Sequence, residues 1–439
     1  MAAASVRTFT RAEILNAEAL NEGKKDAEAF LMIIDNKVYD VREFVDHGGS
    51  VILTHVGKDG TDVFDTFHEA AWETLANFYV GDIDESDRAI KNDDFAAEVR
   101  KLRTLFQSLG YYDSSKAYYA FKVSFNLCIW GLSTFIVAKW GQTSTLANVL
   151  SAALLGLFWQ QCGWLAHDFL HHQVFQDRFW GDLFGAFLGG VCQGFSSSWW
   201  KDKHNTHHAA NVHGEDDIDT HLLTWSEHAL EMFSDVDEEL TRMWSRFMVL
   251  NQTWFYFILS FARLSWCLQS ILLVLNGQAH KSGARVSISL VEQLSLAMHW
   301  TWYLATMFLF IKDVNMMVYF LVSQAVCGNL LAIVFSLNHN GMVISKEEAV
   351  DMDFFTKQII TGRDVHGLFA NWFTGGLNYQ IEHHLFSMRH NFSKIQAVET
   401  LCKKYGVRYH TTGMIEGTAE VFSRLNEVSK AASKMGKAQ

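Results

Sequence analysis

Four stretches of this chain, 121–138, 146–166, 294–311 and 316–337, are apolar over the length of a bilayer-crossing helix, about 20 residues. Beside these runs lie three histidine clusters: His167 with His171 and His172, His204 with His207 and His208, and Gln380 with His383 and His384. Residues at i, i+3 and i+4 share one face of a helix, which is the spacing of His204, His207 and His208 and of Gln380, His383 and His384, while His167 and His171 are an i, i+4 pair. If the three build one site, they must lie on one side of the membrane. The hairpin 121–166 returns the chain to its starting side. Segment 179–195, Gly-rich and carrying Asp182, is then expected not to cross. Segment 254–275 is expected to stay in the interface, because Arg263 at mid-span is costly. Four spans remain, with both termini and the histidines on the cytosolic side.

Charge separates the chain into two parts. Residues 1–100 hold 10 Lys/Arg and 21 Asp/Glu, a net of −11, so the other 339 residues carry only −1 of the total −12. No basic stripe appears, which argues against a nucleic-acid partner. The acidic part suits either docking of a basic protein or simple solvation. The 6 cysteines are scattered without C-x-x-C spacing and read as reduced, buried thiols. No secretory signal precedes the first apolar run.

Residues 6–85 read as a compact α+β module. Strand-like runs 30–35 and 37–41 meet at Asn36, His47-Gly48-Gly49 marks a turn, and 78–80 is strand-like again. Residues 86–119 read as a polar, helical linker. Residues 120–439 form an all-α, multi-span membrane domain ending in amphipathic helices.

Seven or eight imidazoles without thiolate suit Fe, Zn, Cu or Ni. A structural zinc needs four ligands, whereas two redox-active irons use all three clusters. Iron at a bilayer surface suggests O2 activation and attack on an unactivated C–H bond of a lipid chain. Isolated histidines such as His299 and His228 read as structural. Such chemistry needs electrons, and the N-terminal module offers a source. His47 and His68 can act as two axial haem ligands, with His55 a rival by position and a plain turn the alternative reading of His47-Gly48-Gly49. Bis-imidazole ligation makes haem an electron carrier with no open position.

These residues match a known family. Tyr39-Asp40-Val41, Phe44, His47-Gly48-Gly49 and the run Gly57-x-Asp59-x-Thr61-x2-Phe64 resemble a cytochrome b5 domain. The remainder resembles membrane fatty-acyl desaturases with three histidine boxes. A fused b5 module with Gln380 at the head of the third box is the mark of front-end desaturases, and the overall likeness is to fungal Δ6 enzymes. The resemblance implies haem b on His47 and His68. It also implies two non-haem irons on His167, His171, His172, His204, His207, His208, Gln380, His383 and His384. His339, at the end of the last apolar run, resembles a further ligand position, the alternative being a structural helix-end histidine. Asp168 and Glu382 are candidates to orient the ligands. The implied reaction places a cis double bond at Δ6 of an 18-carbon polyunsaturated acyl chain in the endoplasmic reticulum membrane. Its electrons would come through an NADH-cytochrome b5 reductase. Δ5 fatty-acyl and Δ8 sphingolipid desaturases share every motif, a b5-fused hydroxylase shares the metals, and a haem-binding membrane electron carrier needs only the first module.

The departures from the family pattern share one character. The chain has no proline, where average usage of about 5% predicts roughly 20. The family's proline is missing after His47, after His68 and after Phe386, deleted and not substituted. The chain thus reads as one stripped of its prolines. Spacings across those points are short, while the histidine boxes are uninterrupted.

Overall fold

The computed structural model describes residues 7–15, 30–42, 51–52, 55–68, 71–88, 94–209, 246, 254–277, 288–342, 352–386 and 396–438. The first part is built on a four-stranded sheet in the order β1 (Thr8–Phe9), β4 (Tyr79–Ile83), β3 (Lys37–Asp40), β2 (Leu31–Ile34). The β2–β3 hairpin turns at Asp35-Asn36, both with positive φ (51° and 57°), as a two-residue hairpin loop requires. Met32, Ile34, Tyr39, Val41, Val56 and Leu75 form its core, with Phe64 of helix α1 (Thr61–Phe67) against it. The segment expected as linker contains α2 (Asp94–Ser108). Phe95, Val99 and Phe106 of α2 pack with Phe355, Ile381 and Leu385 of the second part, so α2 is a fixed strut rather than a tether.

The second part centres on four long helices, α3 (Lys116–Trp140), α4 (Thr145–Leu170), α8 (Leu290–Phe310) and α9 (Val314–His339). Between α4 and α8 lie α5 (Arg178–Gly185), a π-helix (Ala186–Gln193), α6 (Ser197–Ala209) and α7 (Ala262–Asn276). After α9 come α10 (Phe354–Ile360), the paired strands β5 (Asp364–His366) and β6 (Thr411–Gly413), α11 (Gln380–Phe386) and α12 (Met414–Ala438). Serine caps start three of the long helices. Ser115, Ser144 and Ser289 accept from the backbone N–H groups of Tyr118, Ala147 and Glu292. Among the described residues α3, α4 and α9 are long and apolar enough to cross a membrane. α8 has 21 residues and spans about 31 Å at 1.5 Å per residue, but Glu292, Gln293 and His299 dilute its apolar character.

The four helices share their ends. At one end Tyr119 of α3 donates to Asp168 of α4, and Glu292 of α8 accepts from Ser198 ahead of the second histidine cluster. There too α9 ends at His339. At the other end Gly141 lies so close to the Phe310 carbonyl that a Cβ would sit 2.5 Å from it. Segment 178–209 enters the bundle and returns. Its outer arms meet where Lys201 pairs with Asp182 at 2.5 Å, and its inner turn is Gly194 at φ 96°. This agrees with a segment that does not cross.

Arg263 sets the character of segment 254–275. The helix is broken at Ser260-Phe261, leaving α7 with 15 residues, about 22 Å and short of the roughly 30 Å hydrocarbon core. The guanidinium is fully buried within the protein. It donates to Gln324 Oε1 (2.6 Å), the Gln193 carbonyl (2.6 Å) and His299 Nε2 (2.8 Å), and lies 3.4 Å over the Trp159 ring. Neutral acceptors from three elements and an aromatic face satisfy the cation inside the protein.

Candidate metal centre

The histidines gather at the shared end of the helices. His167 lies in the last turn of α4 and His171 caps it, α6 carries His204, His207 and His208, α9 ends at His339, and α11 carries Gln380, His383 and His384. Two groups result. His167, His171, His204, His208 and His383 form one and His207, His339 and His384 the other, the possible ligand atoms of each lying within 4.8 Å of one another. Adjacent residues divide between them: His207 and His208 go to different groups, as do His383 and His384. The groups touch where the rings of His208 and His384 stack at 4.4 Å.

Ring nitrogens face one another within the first group. Nε2–Nε2 separations are 2.8 Å for His171–His204, 3.0 Å for His204–His208 and 3.2 Å for His167–His383. Burial, and then the charge of neighbouring histidines, holds His204, His208, His383 and His384 well below the ordinary imidazole pKa. Neutral rings with converging lone pairs are what a divalent cation needs. His384 Nε2 is buried and has no hydrogen-bond partner among the described residues. The all-nitrogen donor set fits iron.

Outer partners fix the rings. His167 Nδ1 meets Asp168 at 3.1 Å, His339 Nδ1 meets the Thr361 carbonyl at 3.0 Å, and His384 Nδ1 meets Gln358 Oε1 at 2.6 Å. In each case the Nδ1–H donates outward and Nε2 is presented inward. Gln358 also donates to the His208 carbonyl at 2.9 Å, tying α10 to two clusters. Asp168 thus orients a histidine as expected. Glu382 does not, since its carboxyl lies with Asp364 around Tyr409, whose hydroxyl oxygen is 2.7 Å from Glu382 Oε1 and 2.6 Å from Asp364 Oδ2. Burial, and then the Asp364 carboxyl, raises the Glu382 pKa. Asp364 also accepts the Ile381 N–H at 3.0 Å and so anchors the start of α11.

Gln380 joins the second group through its amide. The Nε2 lies 2.8 Å from His339 Nε2, and Oε1 accepts from Asn338 Nδ2 at 2.8 Å. His172 stands apart from both groups. The helix ends at His171, and positive φ (56°) turns the His172 ring towards Lys201 (3.5 Å) and Asp182 (3.6 Å). The expectation that it joins the ligands is not met by this geometry. Sequence reasoning missed Gln358, Thr361, Asp364, Tyr409 and Asn338. Of these, Asn338 alone carried a signal, its place beside His339.

In the first part, His68 follows α1 with its ring stacked on Phe64 at 5.4 Å. It is exposed, and among the described residues nothing hydrogen-bonds its imidazole. Crowding by the protein, and then the Arg178 guanidinium, disfavours its charged form. An uncommitted imidazole beside an apolar cluster fits an axial haem ligand. His47 lies outside the described residues, as do the positions following His68 and Phe386. His55 is pushed down to about 4 by burial, then by Lys58 and Lys357.

Comparison with known proteins agrees with this arrangement. Residues 144–413 match the fatty acid desaturase family, and residues 16–84 match the cytochrome b5-like heme/steroid binding domain. The chain is 38% identical to an acyl-lipid (9-3)-desaturase of Physcomitrium patens, over 92% of this chain and 76% of that one. It is 32% identical to a Delta(8)-fatty-acid desaturase of Euglena gracilis and to a Delta(5) fatty acid desaturase of Caenorhabditis elegans, each over 94% of this chain and 98% of the relative. The b5 match indicates haem, and the family together with the histidine groups indicates a non-haem di-iron centre. The chain belongs to the fatty acid desaturase family and, with its N-terminal cytochrome b5 domain, is a front-end desaturase.

Proposed function

We propose that the protein desaturates an 18-carbon polyunsaturated acyl chain at Δ6, converting linoleoyl to γ-linolenoyl and α-linolenoyl to stearidonoyl. The observation that carries the chemistry is the division of eight imidazoles into two adjoining groups at the end of a lipid-facing bundle. Bound iron supplies O2 activation for removal of two hydrogens from adjacent carbons. His167, His171, His204, His208 and His383 would hold one ion, and His207, His339 and His384, with Gln380 beside them, the other. Asp168, Thr361 and Gln358 keep their tautomers fixed. Residues 6–85 would hold haem b between His47 and His68, residues 86–119 would connect, and residues 120–439 would form the catalytic domain. An NADH-cytochrome b5 reductase would reduce the haem, drawn by the acidic first 100 residues. The shared helix ends support a four-span topology, with the histidines and both termini on the cytosolic face of the endoplasmic reticulum.

The relative with the highest identity of the three described acts as a (9-3)-desaturase, which supports Δ6, while the other two carry Δ8 and Δ5 names. Expression in yeast supplied with linoleic acid, followed by fatty-acid profiling, tests the position. A γ-linolenic acid peak is expected. A different positional isomer in its place would overturn Δ6 and leave the front-end class intact.

A further inference from the structure

The described part of the haem module meets the histidine centre at an aromatic ring. Phe67 and His68 are consecutive at the end of α1. While the His68 ring stacks on Phe64 within the module, the Phe67 ring points away from it. It meets the His208 ring edge-on, with centroids 5.8 Å apart and planes at 72°, and meets Phe354 of α10 at 6.4 Å. His208 belongs to the five-histidine group, with its Nε2 3.0 Å from that of His204. A path thus runs from His68 across one peptide unit to Phe67, then across one ring contact to His208.

The contact is held in register. Arg103 of α2 is buried. It donates to the Asp65 carbonyl (3.0 Å) and Thr66 Oγ1 (2.7 Å) in α1, and to the Leu385 carbonyl (3.4 Å), one residue past His384. One planar guanidinium therefore ties α1 to the third-cluster helix. One turn earlier, Arg100 pairs with Asp62 of α1, its Nε 3.1 Å from Oδ1. Both arginines lie over the Phe355 ring, at 5.8 and 5.9 Å. Packing this specific at a module boundary is more than solvation of an acidic surface calls for.

We infer that Phe67 is the contact through which electrons pass from the haem module to the non-haem centre, arriving at His208, and that Arg100 and Arg103 hold it there. The inference rests on the proposed roles of His68 and His208. Each passage oxidises one ferrous haem to ferric and reduces one ferric ion of the centre to ferrous. Two passages meet the two-electron demand of one double bond, and a pyridine-nucleotide-dependent reductase restores the ferrous haem. Tunnelling decays exponentially with the gap, so the ring's volume and its register both matter.

The test uses the full-length protein loaded with haem and iron. The haem is reduced anaerobically, the sample is mixed with O2 and linoleoyl substrate, and haem reoxidation is followed by stopped-flow absorbance. His204→Ala supplies the rate without a complete centre. Phe67→Ala is expected to slow substrate-dependent reoxidation about tenfold or more, with haem spectrum and iron content unchanged, and Phe67→Trp to remain near wild type. Asp62→Arg is expected to slow it as well, and adding Arg100→Asp to restore it, a rescue that general loss of folding would not give. A wild-type rate in a folded Phe67→Ala protein, or failure of the charge swap to rescue, would overturn the inference. Wild-type protein that binds no haem, or reoxidises no faster than His204→Ala, would overturn the underlying assignment instead.

Discussion

The two histidine groups sit side by side yet are built differently. The first takes five imidazoles from all three clusters, each group member facing another ring nitrogen. The second has three imidazoles, two from the clusters and one from the end of α9, with an amide where a fourth histidine would close it. Its rings are held from outside by Thr361 and Gln358. The contrast teaches that the two ions need not be equivalent. The first group closes on itself through its ring nitrogens, and the second is completed by a neutral side chain whose own orientation is set by Asn338.

Breaking the first group should have the largest effect. His204→Ala is expected to abolish both product and non-haem iron while leaving the haem spectrum intact, as read by fatty-acid profiling, metal analysis and absorbance. Gln380→Leu should strike the second group alone. Product is expected to fall by about a hundredfold, with iron content dropping towards a single ion per chain. If both ions left together, the groups would be one cooperative site and the contrast would fail. Smaller losses, about tenfold, are expected for Asp168→Asn and Asn338→Leu, which disturb the orientation of His167 and Gln380. Iron titration should show the first weakening the five-histidine group and the second the three-histidine group. Least affected should be His172→Asn, which tolerates the positive φ and should change product by less than about twofold. A loss comparable with His204→Ala would return His172 to the ligand set.

Much of this centre was legible in the chain. Helical spacing brought His204, His207 and His208 onto one face, and the number of imidazoles pointed to one joint site for the three clusters. What spacing could not show was the division between neighbours. His207 and His208 are 100° apart around α6, and only the positions of α9 and α11 decide which faces which group. The ring-orienting partners were hidden for a similar reason. Gln358 and Thr361 reach the site through tertiary packing of α10, and a glutamine or a backbone carbonyl carries no local signature. His172 entered by resemblance and not by helical spacing, and a single left-handed residue after the helix end turns its ring away from both groups. In the fold, the strands 30–35 and 37–41 and the apolar helices followed from pattern. α2 was read as a linker because its apolar face is short and its partner surface lies some 250 residues away in sequence.

Arg263 has a consequence for how the protein is made. Its acceptors are Gln193, already synthesised when it appears, and His299 and Gln324, which are not. A cation cannot be dehydrated before its partners exist. The helix 262–276 must therefore wait in water or at the headgroups while the chain through α9 is inserted, and settle only then. Burial of this one side chain makes a late step of biosynthesis conditional on the correct placement of two later helices, α8 and α9. A membrane-impermeant reagent should reach this segment in chains ending near residue 288 and lose access once they extend past residue 339.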